Sequence, residues 1–136
     1  VMAKYLWREK YAIGQPEIDQ QHQQLFALLD RLYAAVCAGG DDSSEGQSAV
    51  EAVVTELVSY TRSHFFFEES LMRESGYFGL EQHQQEHHRL LSMVDEKMAA
   101  LRRGDKIISI DLLEFMNLWL AQHIIKSDSQ LAQFLR

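Results

Sequence analysis

The chain has 136 residues, 46% of them hydrophobic, so it is long enough to form one domain with a hydrophobic core. Its formal net charge of −7 and the lack of a basic cluster argue against a nucleic-acid-binding surface. The single cysteine, Cys37, excludes a disulfide framework and indicates a reducing compartment, for which we expect the cytoplasm. No apolar stretch approaches the ~20 residues of a membrane span, and residues 1–11 lack the apolar core of a signal peptide.

The rest of the sequence predicts an all-α fold, because it is almost free of proline and shows no strand-like alternation. Residues 1–17 have no helical periodicity and contain several aromatic side chains, so we expect an N-terminal aromatic arm that packs over the domain. Short connections favour an antiparallel up-down-up-down four-helix bundle, a single domain over residues 1–136 that we expect to be monomeric. The four predicted helices and the short C-terminal helical segment span about residues 18–38, 45–74, 78–103, 110–127 and 128–136.

The first predicted helix carries a histidine on its apolar stripe. The stripe steps by four and three residues, as the seam of a helix bundle requires, and contains Ile18, His22, Leu25, Leu29, Leu32 and Val36. His22 therefore occupies a core position. Asp19 is predicted as the N-cap or as an acidic residue of the first turn. Residues 39–46 are predicted as a loop from their Gly, Asp and Ser content.

The second and third predicted helices each place a pair of metal-binding residue types on the buried seam. His64 and Glu68 lie four residues apart, and so do His83 and His87, so each pair shares one helix face. Imidazole and carboxylate groups at this spacing are how helices present first-row transition metals. A single pair of this kind would more often be a chance match on a helix surface, but two pairs on consecutive helices favour a common site.

His123 completes the set on the fourth predicted helix. In an up-down-up-down bundle, the five seam histidines fall within roughly two or three turns of the same end. A single histidine on an apolar stripe usually bonds to a carbonyl or a water molecule, but burying five without a common partner would be costly. A shared metal would satisfy them together. His88 is about 100° round the helix from His87 and is predicted to face solvent.

Asp128 follows His123 by five residues, which is ~140° on a regular α-helix. The two can share a site only if the helix widens into a π-type turn or ends there, and from spacing alone an exposed aspartate is an equal alternative. We interpret Asp19, Glu69 and Glu86 as capping or solvated charges, although Glu86 could accept a hydrogen bond from a ligand.

In the pattern of these residues, the chain resembles a bacterial hemerythrin over nearly its whole length, from Trp7 to about Phe134. The sequence differs from the family pattern at two places, both in loops. Phe78 follows Tyr77 where the family usually has proline, and the His22–His64 spacing is longer than is usual for the family. The matching motifs are Ile18-Asp19-x-x-His22, His64-Phe65 with Glu68-Glu69, Gly76-Tyr77, His83-x-x-x-His87, and Trp119-Leu120-x-x-His123-Ile124 with Asp128.

The resemblance implies a non-haem di-iron centre, with two Fe ions (Fe²⁺/Fe³⁺) joined by a bridging oxo or hydroxo group. Three histidines would bind one iron and two histidines would bind the other. Two carboxylates would bridge both irons. These donors leave one coordination position for O₂, on the iron with two histidines. In that order, the implied ligands are His83, His87 and His123, then His22 and His64, then Glu68 and Asp128.

An apolar pocket is expected beside the metals, because it would slow the entry of water and oxidation of the iron. Plain core packing is the alternative interpretation of the same side chains, and both can hold. Phe66 and Phe67 are expected to pack between helices. The predicted pocket residues are Leu25, Phe65, Trp119, Leu120 and Ile124.

The function we expect is reversible O₂ binding for storage, delivery or scavenging, without enzymatic activity. The alternative is a module that senses O₂, redox state or iron and regulates an attached or separate signalling partner. We prefer the binding protein because these residues contain no output domain. A peroxide-handling enzyme or oxidase is disfavoured, because the sequence offers no uncommitted acid–base group directed at the open position.

Overall fold

The computed structural model describes residues 4–38, 44–103 and 110–136, and most of the predicted loop at 39–46 lies outside these ranges. The described residues are all-α, with no strand, and they confirm the predicted four-helix bundle with its aromatic arm and C-terminal helical segment. None of the described helices is both long and apolar enough to cross a membrane. The elements are a 3₁₀ turn (Glu9–Tyr11), α1 (Pro16–Cys37), α2 (Ser44–Ser75), α3 (Leu80–Arg102), α4 (Ile110–His123), a π-helical segment (Ile124–Asp128) and α5 (Ser129–Leu135).

Consecutive helices run antiparallel, as contacts at different heights along them show. Between α1 and α2, His22 lies beside His64 at one end, and Arg31 pairs with Glu56 farther along at 2.8 Å. Later residues of α1 therefore face earlier residues of α2, which means that the two helices are antiparallel. The same order holds between α2 and α3, whose cross-helix pairs are Glu69 with Gln84, Arg62 with Asp95, and Glu51 with Arg102.

Local sequence explains where α1 begins. Pro16 occupies its first turn, where the missing backbone N–H costs nothing, and Gln15 takes the N-cap position. The Asp19 carboxylate accepts hydrogen bonds from the backbone N–H groups of Ile13 (2.9 Å) and Gly14 (3.2 Å). Asp19 is thus the acidic first-turn residue and not the N-cap, and it fixes the bend through which the arm enters the helix.

A glycine ends α2 and turns the chain into α3. Gly76 has φ +69°, a left-handed conformation that residues with a side chain rarely adopt. The N–H of Tyr77 donates to the carbonyl of Met72 (2.9 Å), and the N–H of Gly76 donates to that of Arg73 (3.2 Å). This is the Schellman arrangement of a helix C-terminus. After this turn, α3 begins at Leu80 and runs back beside α2.

The N-terminal arm is tied to α1. The backbone N–H groups of Lys4 and Tyr5 both donate to Oδ1 of Asp30, at 2.6 and 3.0 Å. The ring of Tyr11 stacks on Phe26, with centroids 5.1 Å apart. The arm therefore covers the apolar face of α1, as its aromatic content predicts.

The hydrophobic core lies along the bundle axis, and its most buried large side chains come from several elements. The expected inter-helix packing is wrong for Phe66, which is 71% exposed, whereas Phe67 is partly buried against the core. Phe66 lies ~200° round the helix from the buried His64, so it points away from the face that packs against the other helices. The fully buried core includes Phe26, Leu28, Leu32, Leu113, Ile124 and Leu131.

Shortening a core side chain should destabilise the bundle much more than shortening an exposed one. Leu32 has no exposed surface, so Leu32→Ala should lower the free energy of unfolding by about 2–5 kcal/mol through lost burial and the cavity that remains. Leu118 is 55% exposed, and Leu118→Ala should change the same quantity by no more than about 0.5 kcal/mol. Urea unfolding of both variants measures the difference, and equal losses would contradict the described packing.

Candidate metal centre

Seven side chains that the sequence predicts as metal ligands meet at one end of the bundle. Each is at most 4% exposed, although all are polar or charged. α1 supplies one of them, α2 two, α3 two and α4 one, and the π segment supplies the last. In that order they are His22, His64, Glu68, His83, His87, His123 and Asp128.

The seven residues form two groups that could each hold a metal ion, and the two groups share both carboxylates. Within each group the candidate ligand atoms all lie within 4.8 Å of one another. We call them the five-donor group and the four-donor group. The first contains Glu68, His83, His87, His123 and Asp128, and the second contains His22, His64, Glu68 and Asp128.

The two carboxylates face the groups with opposite oxygens. Toward the five-donor group, Oε1 of Glu68 lies 3.2 Å from Nε2 of His87, and Oδ1 of Asp128 lies 2.9 Å from Nε2 of His83. Toward the four-donor group, Oε2 of Glu68 lies 3.4 Å and Oδ2 of Asp128 3.0 Å from Nε2 of His22. Each carboxylate therefore offers one oxygen to each group.

Asp128 reaches the site because the helix widens into a π-type turn. This is one of the two ways in which its five-residue spacing from His123 allows a shared site. The backbone N–H of Ser129 bonds to the carbonyl of Ile124, which is the five-residue step of a π-helix. The wider turn rotates Asp128 onto the face of His123, so that Oδ1 and Nε2 lie 3.1 Å apart. The Ser129 hydroxyl donates to the same Ile124 carbonyl at 3.1 Å and adds a second bond to the widened turn.

The buried polar atoms fit a metal better than they fit one another. Both ring nitrogens of His22 and all four oxygens of Glu68 and Asp128 are buried without a hydrogen-bond partner. Nε2 of His22 lies 3.4 Å from Oε2 of Glu68 and 3.0 Å from Oδ2 of Asp128 without a hydrogen bond to either. Each unsatisfied buried group costs about 1–3 kcal/mol, so a cation at each centre would relieve a large penalty.

The outer ring nitrogens explain why Nε2 points inward. Nδ1 of His87 lies 2.8 Å from Oε2 of Glu69, and Nδ1 of His123 lies 3.0 Å from Oε1 of Glu86. Because a carboxylate only accepts, each Nδ1 carries a proton, which leaves Nε2 as the ring nitrogen that could bind a metal. The interpretation of Glu69 and Glu86 as capping or solvated charges is therefore wrong, and for Glu86 the alternative, that it accepts a hydrogen bond from a ligand, is the one observed.

Gln21 is a site residue that the sequence analysis missed. Its amide oxygen lies 2.6 Å from Nδ1 of His64, across the α1–α2 contact. Gln21, Glu69 and Glu86 each stand next to a ligand in sequence, which could have marked them as candidates. Each, however, bonds to a histidine of another helix, so the pairing depends on how the helices pack.

An apolar cavity of about 40 Å³ lies about one helical turn from the candidate ligands, toward the bundle's middle. Its lining includes one residue from each long helix, three positions from a histidine ligand: Leu25, Thr61, Leu90 and Leu120. The Thr61 hydroxyl donates to the carbonyl of Leu57 at 2.7 Å, so the polar group in this layer is satisfied by the backbone.

The five predicted pocket residues occupy two kinds of position. Leu25, Phe65 and Leu120 line the cavity, and the Phe65 ring also stacks on His87 with centroids 3.6 Å apart. Trp119 stacks instead on the ring of His123, at 4.7 Å, and Ile124 is fully buried in the hydrophobic core. The stacked rings therefore orient two of the histidines.

The family model of the Hemerythrin HHE cation binding domain matches residues 14–135. The chain belongs to the hemerythrin family. It is 35% identical over 131 residues to a bacteriohemerythrin from Stenotrophomonas maltophilia, covering 96% of this chain and 81% of that protein. A bacteriohemerythrin from Pseudomonas aeruginosa is 30% identical, with coverages of 94% and 79%. A crystal structure of wild-type hemerythrin superposes with a TM-score of 0.86 at 23% identity over 95% of both chains, which shows the shared fold.

In this hemerythrin fold the metal-free cluster binds protons strongly. Burial by itself lowers the pKa of His22, but Asp128 and Glu68 outweigh it and raise the pKa to about 9. The same balance raises the pKa of His83 to about 9. Burial raises the pKa of Glu68, but the charge of His64 and the nearby imidazoles of the cluster outweigh it and hold the pKa well below its usual value. A metal must therefore displace protons to bind.

The stability of the metal-free protein should fall as the pH rises. A histidine whose folded-state pKa is raised stabilises fully below its unfolded value of 6.5, and this contribution is lost through a folded-state pKa of about 9. Urea unfolding of chelator-treated protein should thus show a decreasing free energy of unfolding between pH 6.5 and 9. The exposed His88 provides a control, because His88→Ala should retain this dependence. A flat or rising profile would contradict the described pairing.

Proposed function

We propose that this hemerythrin binds O₂ reversibly at a di-iron centre, with an oxo or hydroxo bridge between the irons. This proposal rests on the two donor groups, which have Glu68 and Asp128 in common. Each of these carboxylates turns one oxygen toward each group. One iron would be held by His83, His87 and His123, and the other by His22 and His64. When bound, the two irons supply the two electrons that reversible O₂ binding requires. The relatives named bacteriohemerythrin support this assignment.

The unequal number of donors favours one position for O₂. The five-donor group offers three imidazoles and two carboxylate oxygens, whereas the four-donor group offers only two imidazoles with its two carboxylate oxygens. A ligand that enters the centre therefore finds more room on the side of His22 and His64. Gln21 holds the inward orientation of His64 on that side.

The cavity supports O₂ as the ligand. About 40 Å³ exceeds the ~10–15 Å³ that one water molecule needs, so a diatomic gas fits. Its walls are apolar apart from Thr61, whose hydroxyl is already bonded. The lining thus disfavours water and presents no side chain for acid–base catalysis. These properties support binding of O₂ without an enzymatic reaction.

Iron content and the O₂ response together test this function. Purified protein should carry about two irons per chain, and its near-ultraviolet ligand-to-metal charge-transfer bands should change reversibly between deoxygenated and re-oxygenated states. A content near zero, or zinc alone without an O₂ response, would exclude the proposal. Oxidation within seconds without release of O₂ would instead favour the sensing alternative.

The cavity wall should control how fast the iron oxidises. Leu120 lines the cavity and is 7% exposed, so Leu120→Ala should enlarge the space, admit water and speed autoxidation. Leu118→Ala on the same helix removes the same atoms from a 55% exposed position and serves as the matched control. The rate is followed by the decay of the oxygenated spectrum in air. Equal rates in both variants would mean that Leu120 does not guard the site.

A further inference from the structure

The hydrogen-bond partners behind the histidines differ in charge between the two donor groups. In the five-donor group, His87 bonds to the carboxylate of Glu69 and His123 to that of Glu86. In the four-donor group, His64 bonds to the neutral amide of Gln21. Nδ1 of His22 is buried there without a hydrogen-bond partner.

Both carboxylates are held in place by further contacts. Oε1 of Glu86 accepts the Ser127 hydroxyl at 2.7 Å in addition to Nδ1–H of His123. The other oxygen of Glu69, Oε1, accepts the amide N–H of Gln84 at 3.0 Å. The side chains of Glu69 and Glu86 are only 20% and 30% exposed, so water screens their charge incompletely.

A carboxylate behind an imidazole changes what the imidazole offers to a metal. It accepts the Nδ1 proton, draws that proton outward and increases the electron density at Nε2, which makes the histidine a stronger ligand. A neutral amide fixes the same tautomer but adds no negative charge. Replacing an outer partner of this kind typically costs 10–100-fold in metal affinity.

We propose that Glu69 and Glu86 make the two metal positions unequal, so that the five-donor group fills first and the four-donor group second. This inference rests on the proposed two-metal centre and assigns the order of loading to positioning residues outside it. The extra histidine of the five-donor group would favour the same order. A test must therefore change the outer charge while all seven ligands stay in place.

Stepwise titration of the metal-free protein with Zn²⁺ or Co²⁺, against a chromophoric chelator, provides this test. The isosteric changes Glu86→Gln and Glu69→Gln keep a hydrogen-bond acceptor and should weaken the first binding step ~10–100-fold, with the second step unchanged. Gln21→Glu adds the missing charge and should strengthen only the second step, by roughly 10-fold. A merely structural role of these residues would not produce that gain.

Two controls locate the effect. Glu81→Gln removes the same charge from an exposed position of α3 and should leave both steps unchanged. His22→Ala removes a ligand of the four-donor group, and it should abolish the second step and spare the first. Loss of the first step in His22→Ala, or equal effects of Glu81→Gln and Glu86→Gln, would overturn the inference.

The outcomes also distinguish this inference from the proposed function. Two metals per wild-type chain, with step affinities that do not respond to Glu86→Gln or to Gln21→Glu, would overturn the loading order alone. Binding of a single metal per wild-type chain would overturn the two-metal centre and, with it, the loading order. If one variant fails to fold, the thermal melt of the metal-free protein reveals it, and Gln21→Glu and Glu86→Gln test the same claim independently.

Discussion

Two buried carboxylates impose the constraint on which the rest of this structure depends. Glu68 and Asp128 have no exposed surface and no hydrogen-bond partner, so the fold must bring compensating groups to them. Five imidazoles do this, and they come from all four long helices. Because one residue along a helix is ~1.5 Å, a small shift of any helix would move an imidazole away from a carboxylate. The requirement therefore fixes the relative heights of the helices.

The elements around the site meet that requirement in different ways. The Schellman turn at Gly76 sets how α3 returns beside α2, and the π segment rotates Asp128 beneath His123. Stacking of Phe65 on His87 and of Trp119 on His123 restricts the rotation of these two rings. A buried charged cluster contributes little net stability, so the apolar core must stabilise the helices that carry it.

Polarity changes sharply within one helical turn. His22, His64, His87 and His123 belong to the polar layer, and residues three positions away from each line an apolar cavity. In the polar layer, outer partners hold protons on the far ring nitrogens of His64, His87 and His123, so their inner nitrogens are the ones that a metal could bind. The cavity layer next to them has an apolar lining. The adjacent layers thus combine a strong donor set with an environment that suits a small apolar ligand.

The sequence by itself determined the helical fold and the placement of Glu68 and the five histidines on one face of each helix, because both follow from periodicity. Steps of three and four put His22, His64 and His123 on seams, and antiparallel order then puts them at one height. Only the tertiary structure decided the position of Asp128, since a five-residue spacing fits a site only when the backbone adopts a π turn. It also decided the roles of Gln21, Glu69 and Glu86, which bond to histidines of neighbouring helices. Periodicity gives the face of a helix that a residue occupies, but the rotation and separation of packed helices decide which partner that residue meets.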